Sequence, residues 1–298
     1  EALQRLAERH RDEFLIPIIG ITGSNGKTMV KEWLYQLLSP EMIVTRSPRS
    51  YNSRIGVPLS VWLLNENTQI GVFEAGISKP GEMLALRDII QPTIGVFTSL
   101  GTAHQENFSS LEAKCLEKLK LFHDTQAIVY SEDDQVLNDC ISAKNYKGES
   151  LNWSAKDVHA AFFIKSIEKK DIETTVSYVW KGKVEGQYKL PFIDDASVEN
   201  SITCAVVSLH LGIEPAHLAE RMAKLEPVAM RLEVKEGQHG CTLINDSYNS
   251  DYNSLDIALD FMNRRPDHKG RKRTLILSDI LQSGESGKEL YNKVAFLC

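Results

Sequence analysis

Apolar residues recur along this chain with two periods. Residues 16–21, IPIIGI, form a short apolar run rich in β-branched side chains, and residues 70–73, 93–97 and 127–130 form similar runs. Runs of this length and composition predict buried strands. After the first run, Val30, Trp33, Leu34, Leu37 and Leu38 return at helical spacing, and helical patterns separate the other runs. Strands alternating with helices predict an α/β fold, a P-loop-type doubly wound and mainly parallel sheet. Between about residues 158 and 193 the pattern changes to the alternating segments AAFFIKSI, TTVSYVW and GQYKLPF, split by polar turns. That change predicts a small antiparallel addition to the same domain. Helical spacing returns over 196–211 and 215–225, and Pro227 marks a boundary. A second β-α-β pattern follows, with strands at 242–245 and 274–277 around a helix near 254–262. Two domains are therefore expected, 1–226 and 227–298, the second the first part of a Rossmann-like fold.

Composition narrows the function classes. The 298 residues are 42% hydrophobic and 25% charged, with a net charge of -6 and scattered Lys and Arg, so no basic surface for nucleic acid or membrane is expected. The apolar runs fall short of the ~20 residues a membrane span needs, and no basic segment followed by an apolar stretch opens the chain. Cys115, Cys140, Cys204, Cys241 and Cys298 are widely spaced and odd in number. They are read as reduced thiols, and a cytoplasmic location is expected. Glu1 enters an amphipathic pattern at once (Leu3, Leu6, Ala7) and the chain stops on the apolar VAFLC, so a piece of a longer protein is expected.

The chemistry starts at GITGSNGKT, residues 20–28. A strict G-x-x-x-x-G-K-[ST] count would put the first glycine at Ile21, so the outer glycine is displaced to Gly20. A strand before and a helix after still favour a phosphate-binding loop over a glycine turn that caps a helix. In such a loop Lys27 meets the β- and γ-phosphates and the Thr28 hydroxyl meets Mg²⁺. Glu74 and Gly76 end the run at 70–73, where a carboxylate faces the ligand crevice and can hold Mg²⁺; an ordinary strand-end glutamate is the alternative. Glu82 is read as a helix-start charge. His104 lies beyond the run at 93–97 on the same edge, and could equally be structural. In SSLEAKCLEKLKLF, Leu111, Cys115 and Phe122 share one helical stripe and Lys118 falls inside it, with Lys114 at the flank and Lys120 opposite. A lysine on a buried stripe is costly in its charged form, and a neutral amine can take up CO₂ as a carbamate that suits Mg²⁺. A lysine snorkelling at the stripe's edge is the alternative.

Taken together these segments resemble the Mur ligase family, ATP-dependent ligases of peptidoglycan precursor synthesis. Thr22, Gly23, Ser24, Asn25, Gly26, Lys27 and Thr28 match its loop T-G-[ST]-N-G-K-[TS], which needs no outer glycine. NSRIGVPLS is similar to N-N-x-I-G-x-P-L, with Asn52 kept and Ser53 at the second asparagine. EAGISKPGEM resembles E-x-G-x-x-x-P-G-E-[IM]. GTAHQENFSSLEAKCLEK is similar to a segment that ends on the family's carbamylated lysine, here Lys118. SVENSITCA resembles H-N-x-x-N-x-x-A near the adenine, with Asn200 kept and Ala196 at the histidine. LEPVAMRLEV is similar to P-V-x-G-R-L, with Met230 at the glycine and Arg231 kept. INDSYNSDYNS resembles D-D-S-Y-N-A-N-P-x-S, which supports Asp246, Tyr248 and Asn249 as nucleotide contacts. LILSDILQSGE is similar to L-V-L-G-D-M-x-E-L-G-E.

The resemblance implies that residues 1–226 are a central ATP-binding domain and 227–298 the first part of the family's C-terminal domain, with a UDP-sugar-binding domain ahead of Glu1. Within the family the segments are most similar to members that join D-alanyl-D-alanine to UDP-N-acetylmuramoyl-tripeptide through an acyl phosphate, and SPRSYNSRIGVPLSVW resembles forms fused to an alanine racemase. It implies ATP and two Mg²⁺ ions, one on Thr28 and Glu74 and one on His104 and carbamylated Lys118, with Asn52 and Ser53 toward substrate. A monomeric ligase that binds neither nucleic acid nor membrane is expected. The alternatives are another Mur-type or folylpolyglutamate-type ligase, or a nucleotide-binding fragment without turnover.

Overall fold

Every residue of the strand β1 (Ile18–Thr22) is buried, because the strand is hydrogen-bonded on both edges and covered on both faces. The computed structural model describes residues 1–101, 105–144, 146–170, 172–229, 231–247, 251–264, 272–280 and 287–297. In chain order the first part runs α1 (Ala2–Arg11), β1, α2 (Lys27–Leu38), β2 (Val44–Arg46), α3 (Gly56–Val61), β3 (Ile70–Glu74), α4 (Glu82–Ile90) and β4 (Ile94–Phe97). It continues with α5 (Leu111–Lys118), β5 (Ala127–Ser131), α6 (Gln135–Ala143), β6 (Glu149–Ser154), β7 (Phe162–Lys170), β8 (Glu173–Trp180), β9 (Val184–Leu190), α7 (Asp195–His210) and α8 (Pro215–Met222).

The nine strands form one sheet in the order β2-β3-β1-β4-β5-β6-β7-β8-β9, parallel from β2 to β7 and antiparallel from β7 to β9. Successive side chains along a strand point to opposite faces, and the two faces carry separate cores. Ile19, Ile21, Val72, Val96 and Val129 pack with α2, α7 and α8. Ile18, Phe73, Phe97 and Ile128 pack with α1 and α3 to α6. This is the expected doubly wound sheet. The alternating segments add to its far edge through the parallel pair of β6 and β7, Trp153 opposite Phe162. Two strands of this sheet lie outside the sequence reading. β2 has three residues, too few to show a period, and β6 (ESLNWS) mixes polar and apolar positions.

Later elements are β10 (Glu233–Glu236) and β11 (Thr242–Asn245), an antiparallel pair, then α9 (Tyr252–Arg264) and α10 (Gly287–Leu297) around a small core of Leu255, Leu259, Ile280, Leu290 and Val294. The strand expected at 274–277 is a correction: the segment has no ladder there, and Ile276 is 91% exposed. An apolar run becomes a strand only where another strand supplies partners for its backbone groups, and among the described residues none does.

Helix α2 connects distant parts of this frame. Its first turn follows the glycine loop, while Trp33 lies in the core, stacks on Phe192 at 5.1 Å and donates from Nε1 to the Glu226 carbonyl at 3.0 Å. Gln36 Oε1 accepts from the Glu226 N–H at 2.9 Å. Trp33→Ala is expected to cost about 3–5 kcal/mol, read as a lower urea midpoint at unchanged slope by circular dichroism. A loss below 1 kcal/mol would contradict this packing.

Candidate functional site

The loop after β1 is shaped by two glycines. Gly23 has φ +145° and Gly26 φ +82°, backbone states that L side chains rarely adopt. A Cβ at Gly23 would meet Thr98 Oγ1 at 2.1 Å, and one at Gly26 would meet Asn200 Oδ1 at 2.4 Å. Gly20 is different. It lies inside β1, where a Cβ would stand 2.7 Å from Pro92 Cβ, so it is a strand-packing glycine and not a displaced loop glycine, which corrects that expectation. The loop is braced from β4: the Ser24 N–H donates to the Ser99 carbonyl at 2.7 Å and the Asn25 N–H to Ser99 Oγ at 3.2 Å. Gly26 then starts α2, whose first-turn N–H groups have no helical acceptor and carry the positive end of the helix dipole.

Cationic groups converge on this loop. Lys27 Nζ donates to the carbonyls of Gly23 and Ser24, both at 2.9 Å, and Lys118 Nζ donates to the Gly23 carbonyl at 3.0 Å. Lys114 Nζ donates to the Gly101 carbonyl, which also accepts from Ser24 Oγ. Burial pushes Lys27 down to about 8, partly offset by Glu74. Burial also pushes Lys114 down to about 8. Lys118 falls well below the usual lysine range, first through burial and then through the charges of Lys27 and Lys114. Placing Lys114 at the flank of its helix understated it, since it is as buried as Lys118. Lys120 lies on the outer side as expected and pairs with Glu117.

Opposite these amines, Glu74 is fully buried at the end of β3. Its Oε2 accepts from Thr28 Oγ1 at 3.1 Å and from Asn52 Nδ2 at 3.4 Å. Its Oε1 receives no hydrogen bond among the described residues, only the ion-pair contact of Lys31 Nζ at 3.2 Å. Ser50 Oγ lies 3.0 Å from Thr28 Oγ1. One carboxylate and two hydroxyls at the mouth of the glycine loop are hard oxygen donors, a set that suits Mg²⁺ together with phosphate oxygens and water. Among the described residues no group of three or more His, Cys, Asp or Glu side chains forms a metal site by itself.

A pocket of about 230 Å³ joins the two walls. It is lined by the loop from Gly23 to Thr28, by Asn52, Ser53 and the Gly76-Ile77-Ser78 turn, and by Lys118 and Arg231. The structure thus brings together Gly23, Ser24, Asn25, Gly26, Lys27, Thr28, Asn52, Ser53, Glu74, Lys118 and Arg231. Asn200 abuts Gly26 from α7. Thr22 turns its hydroxyl to the Ala75 carbonyl at 2.9 Å, beside the pocket and not into it. Asp246 accepts from the Leu232 N–H at 3.2 Å, near Arg231. Glu82 is a helix-start charge as expected, accepting from the N–H groups of Ser78 and Lys79. His104, Tyr248 and Asn249 lie outside the described residues. Sequence reading missed Lys31, Ser50 and Ser78. Lys31 was within reach, because it shares the helical stripe of Leu34 and Leu38, whereas Ser50 and Ser78 sit in turns that carry no period.

The description "Mur ligase middle domain" matches residues 21–208. A Bacillus subtilis protein named UDP-N-acetylmuramoyl-tripeptide--D-alanyl-D-alanine ligase is 29% identical over 290 residues, which is 95% of this chain and 60% of that protein. The chain thus spans about three-fifths of that curated relative. Among solved structures, MurF from Acinetobacter baumannii superposes with a TM-score of 0.86 at 21% identity, covering 99% of this chain and 63% of that one. MurF from Thermotoga maritima in complex with ADP superposes with a TM-score of 0.85 at 24% identity, covering 99% and 67%. At these identities the superpositions establish a shared fold. With the profile covering well over half of its length, the chain belongs to the Mur ligase family.

Proposed function

We propose that this chain is the nucleotide-binding part of an ATP-dependent amide ligase that joins D-alanyl-D-alanine to UDP-N-acetylmuramoyl-tripeptide in the cytoplasm. The carrying observation is the pair of walls at the loop: buried amines of Lys27 and Lys118 on one side, the Thr28–Glu74 pair on the other. The substrate pair comes from the name of the Bacillus subtilis relative. The division at residues 226 and 227, the monomeric state and the nucleotide roles of Asn200, Asp246, Tyr248 and Asn249 belong to the same proposal.

In this reading the peptide's terminal carboxylate oxygen attacks the γ-phosphorus of ATP, and ADP leaves. The amine of D-alanyl-D-alanine then attacks the acyl carbon, inorganic phosphate leaves, and the amine gives up a proton. Both steps gather negative charge on oxygens, so positioning and charge neutralisation supply most of the rate. Lys27 and the loop N–H groups hold the phosphates, and Arg231 adds a cation from across the pocket. Thr28 and Glu74 would hold one Mg²⁺, and His104 with a carbamate on Lys118 a second, to screen that charge. Lys118 suits the carbamate because its neutral amine adds to CO₂ and releases a proton, and Lys27 beside it steadies the anion.

Two measurements test the proposal. The natural full-length protein is expected to release phosphate from ATP only when both UDP-muramoyl-tripeptide and D-alanyl-D-alanine are present, with Lys118→Ala lowering the rate at least roughly a hundredfold. Absence of dipeptide-dependent release sinks the ligase reading. Under ¹³CO₂ a carbamate resonance is expected that Lys118→Ala removes. The lowered Lys118 pKa leaves neutral amine at pH values where an exposed lysine is charged. At fixed dissolved CO₂ the signal should therefore rise with pH and saturate earlier than for an exposed lysine. Lys114→Met removes a like charge, raises that pKa and should move the rise to higher pH.

A further inference from the structure

Lys31 lies one helical turn beyond Lys27 and is fully buried. Its ammonium is 3.2 Å from Glu74 Oε1 and 2.8 Å from Glu32 Oε1, and it donates to the Ser47 carbonyl at 2.8 Å and to the Arg49 carbonyl. Glu32 pairs in turn with Arg46 at 2.9 Å. A buried ammonium is tolerated only when its protons and charge are met, and here two carbonyls accept from it while two carboxylates balance its charge.

These partners belong to the candidate metal cradle. Ser47 and Arg49 start the turn that carries Ser50 to Thr28 Oγ1 and Asn52 to Glu74 Oε2. Arg49 stands at φ +47°, a left-handed state costing a non-glycine residue on the order of 1 kcal/mol or more, and its carbonyl points at Lys31. Ser47 Oγ accepts from the Glu74 N–H at 3.2 Å, so the turn is also pinned to β3. Lys31 takes Oε1 of the carboxylate from behind, while Thr28 and Asn52 hold Oε2 on the pocket side. The ammonium therefore fixes both the plane of the carboxylate and the turn facing it. Without it, Glu74 and Glu32 would be left as neighbouring carboxylates with no ammonium between them, one of them deep in the protein.

We propose that Lys31 is the positioning residue of the divalent-cation cradle, presenting Glu74 Oε2 beside the Thr28 hydroxyl and so setting the Mg²⁺ requirement for nucleotide binding. The inference rests on the Mg²⁺–nucleotide reading above and adds a role for a side chain that faces the back of the cradle instead of the pocket. Glu32, at 2.8 Å, cancels much of the Lys31 charge, so the ammonium orients Glu74 without strongly repelling a metal.

Calorimetry of ADP binding to the protein, across a Mg²⁺ series and in EDTA, separates the metal requirement from nucleotide affinity. Met fills the volume of lysine without its charge. Lys31→Met is expected to raise the half-saturating Mg²⁺ concentration roughly 10–100-fold, with affinity in EDTA within about threefold of wild type, and Lys31→Arg is expected to fall between. An unchanged Mg²⁺ requirement, or equal losses with and without metal, overturns the inference while leaving nucleotide binding intact. No metal-dependent ADP binding by the wild type overturns the nucleotide reading and the inference with it. Should Lys31→Met not fold, ¹⁵N-lysine-labelled wild type decides: its one fully buried ammonium bonded to Glu74 should shift with ADP and Mg²⁺ but not with ADP in EDTA. No difference between the two overturns the inference.

Discussion

Burying three lysines around one four-residue turn is the constraint on which the site depends. Lys27, Lys114 and Lys118 all point at backbone carbonyls of the loop or of the segment bracing it. Carbonyl dipoles satisfy protons but do not cancel whole charges, and burial accordingly lowers all three pKa values. In the proposed function, the polyphosphate of a nucleotide, or a carboxylate formed on one of the amines, brings negative charge to these groups.

The sheet makes such crowding possible. β1 lies where the winding reverses, with β3 on one side and β4 on the other, so three strand ends open into one crevice. The loop leaves β1, Glu74 ends β3, and Ser99 braces the loop from beyond β4. α5 reaches the same point from its own face of the sheet, because Cys115, Leu119 and Phe122 anchor it in the second core. Two separate cores thus place the side chains of the pocket, one through α2 with Lys27 and Thr28 and the other through α5 with Lys118.

Much of this could be read from the sequence, and the exceptions share a cause. The glycine loop, Glu74 and Lys118 were legible because each is tied to a period: a strand end, a helix start, a position on an apolar stripe. The same wheel that singled out Lys118 also puts Lys31 beside Leu34 and Leu38, yet the reading of that helix stopped at its apolar positions. Ser50 and Arg49 lie in a turn whose carbonyls accept from Lys31, a contact across the fold that no local pattern records. Gly20 misled for a related reason: a glycine beside a glycine-rich loop was taken as part of it, when Pro92 on a neighbouring segment demands the missing side chain. The run at 274–277 had strand composition but found no strand to join.

Glu226 is gripped at both its N–H and its carbonyl by side chains of α2, the helix whose first turn completes the glycine loop. Arg231 lies five residues farther along and already lines the pocket. The guanidinium is thus on a tether of about 17 Å at full stretch, anchored to a rod that starts at the loop itself. Over so short a leash Arg231 stays within reach of the pocket, tied through Glu226 to the helix that begins there.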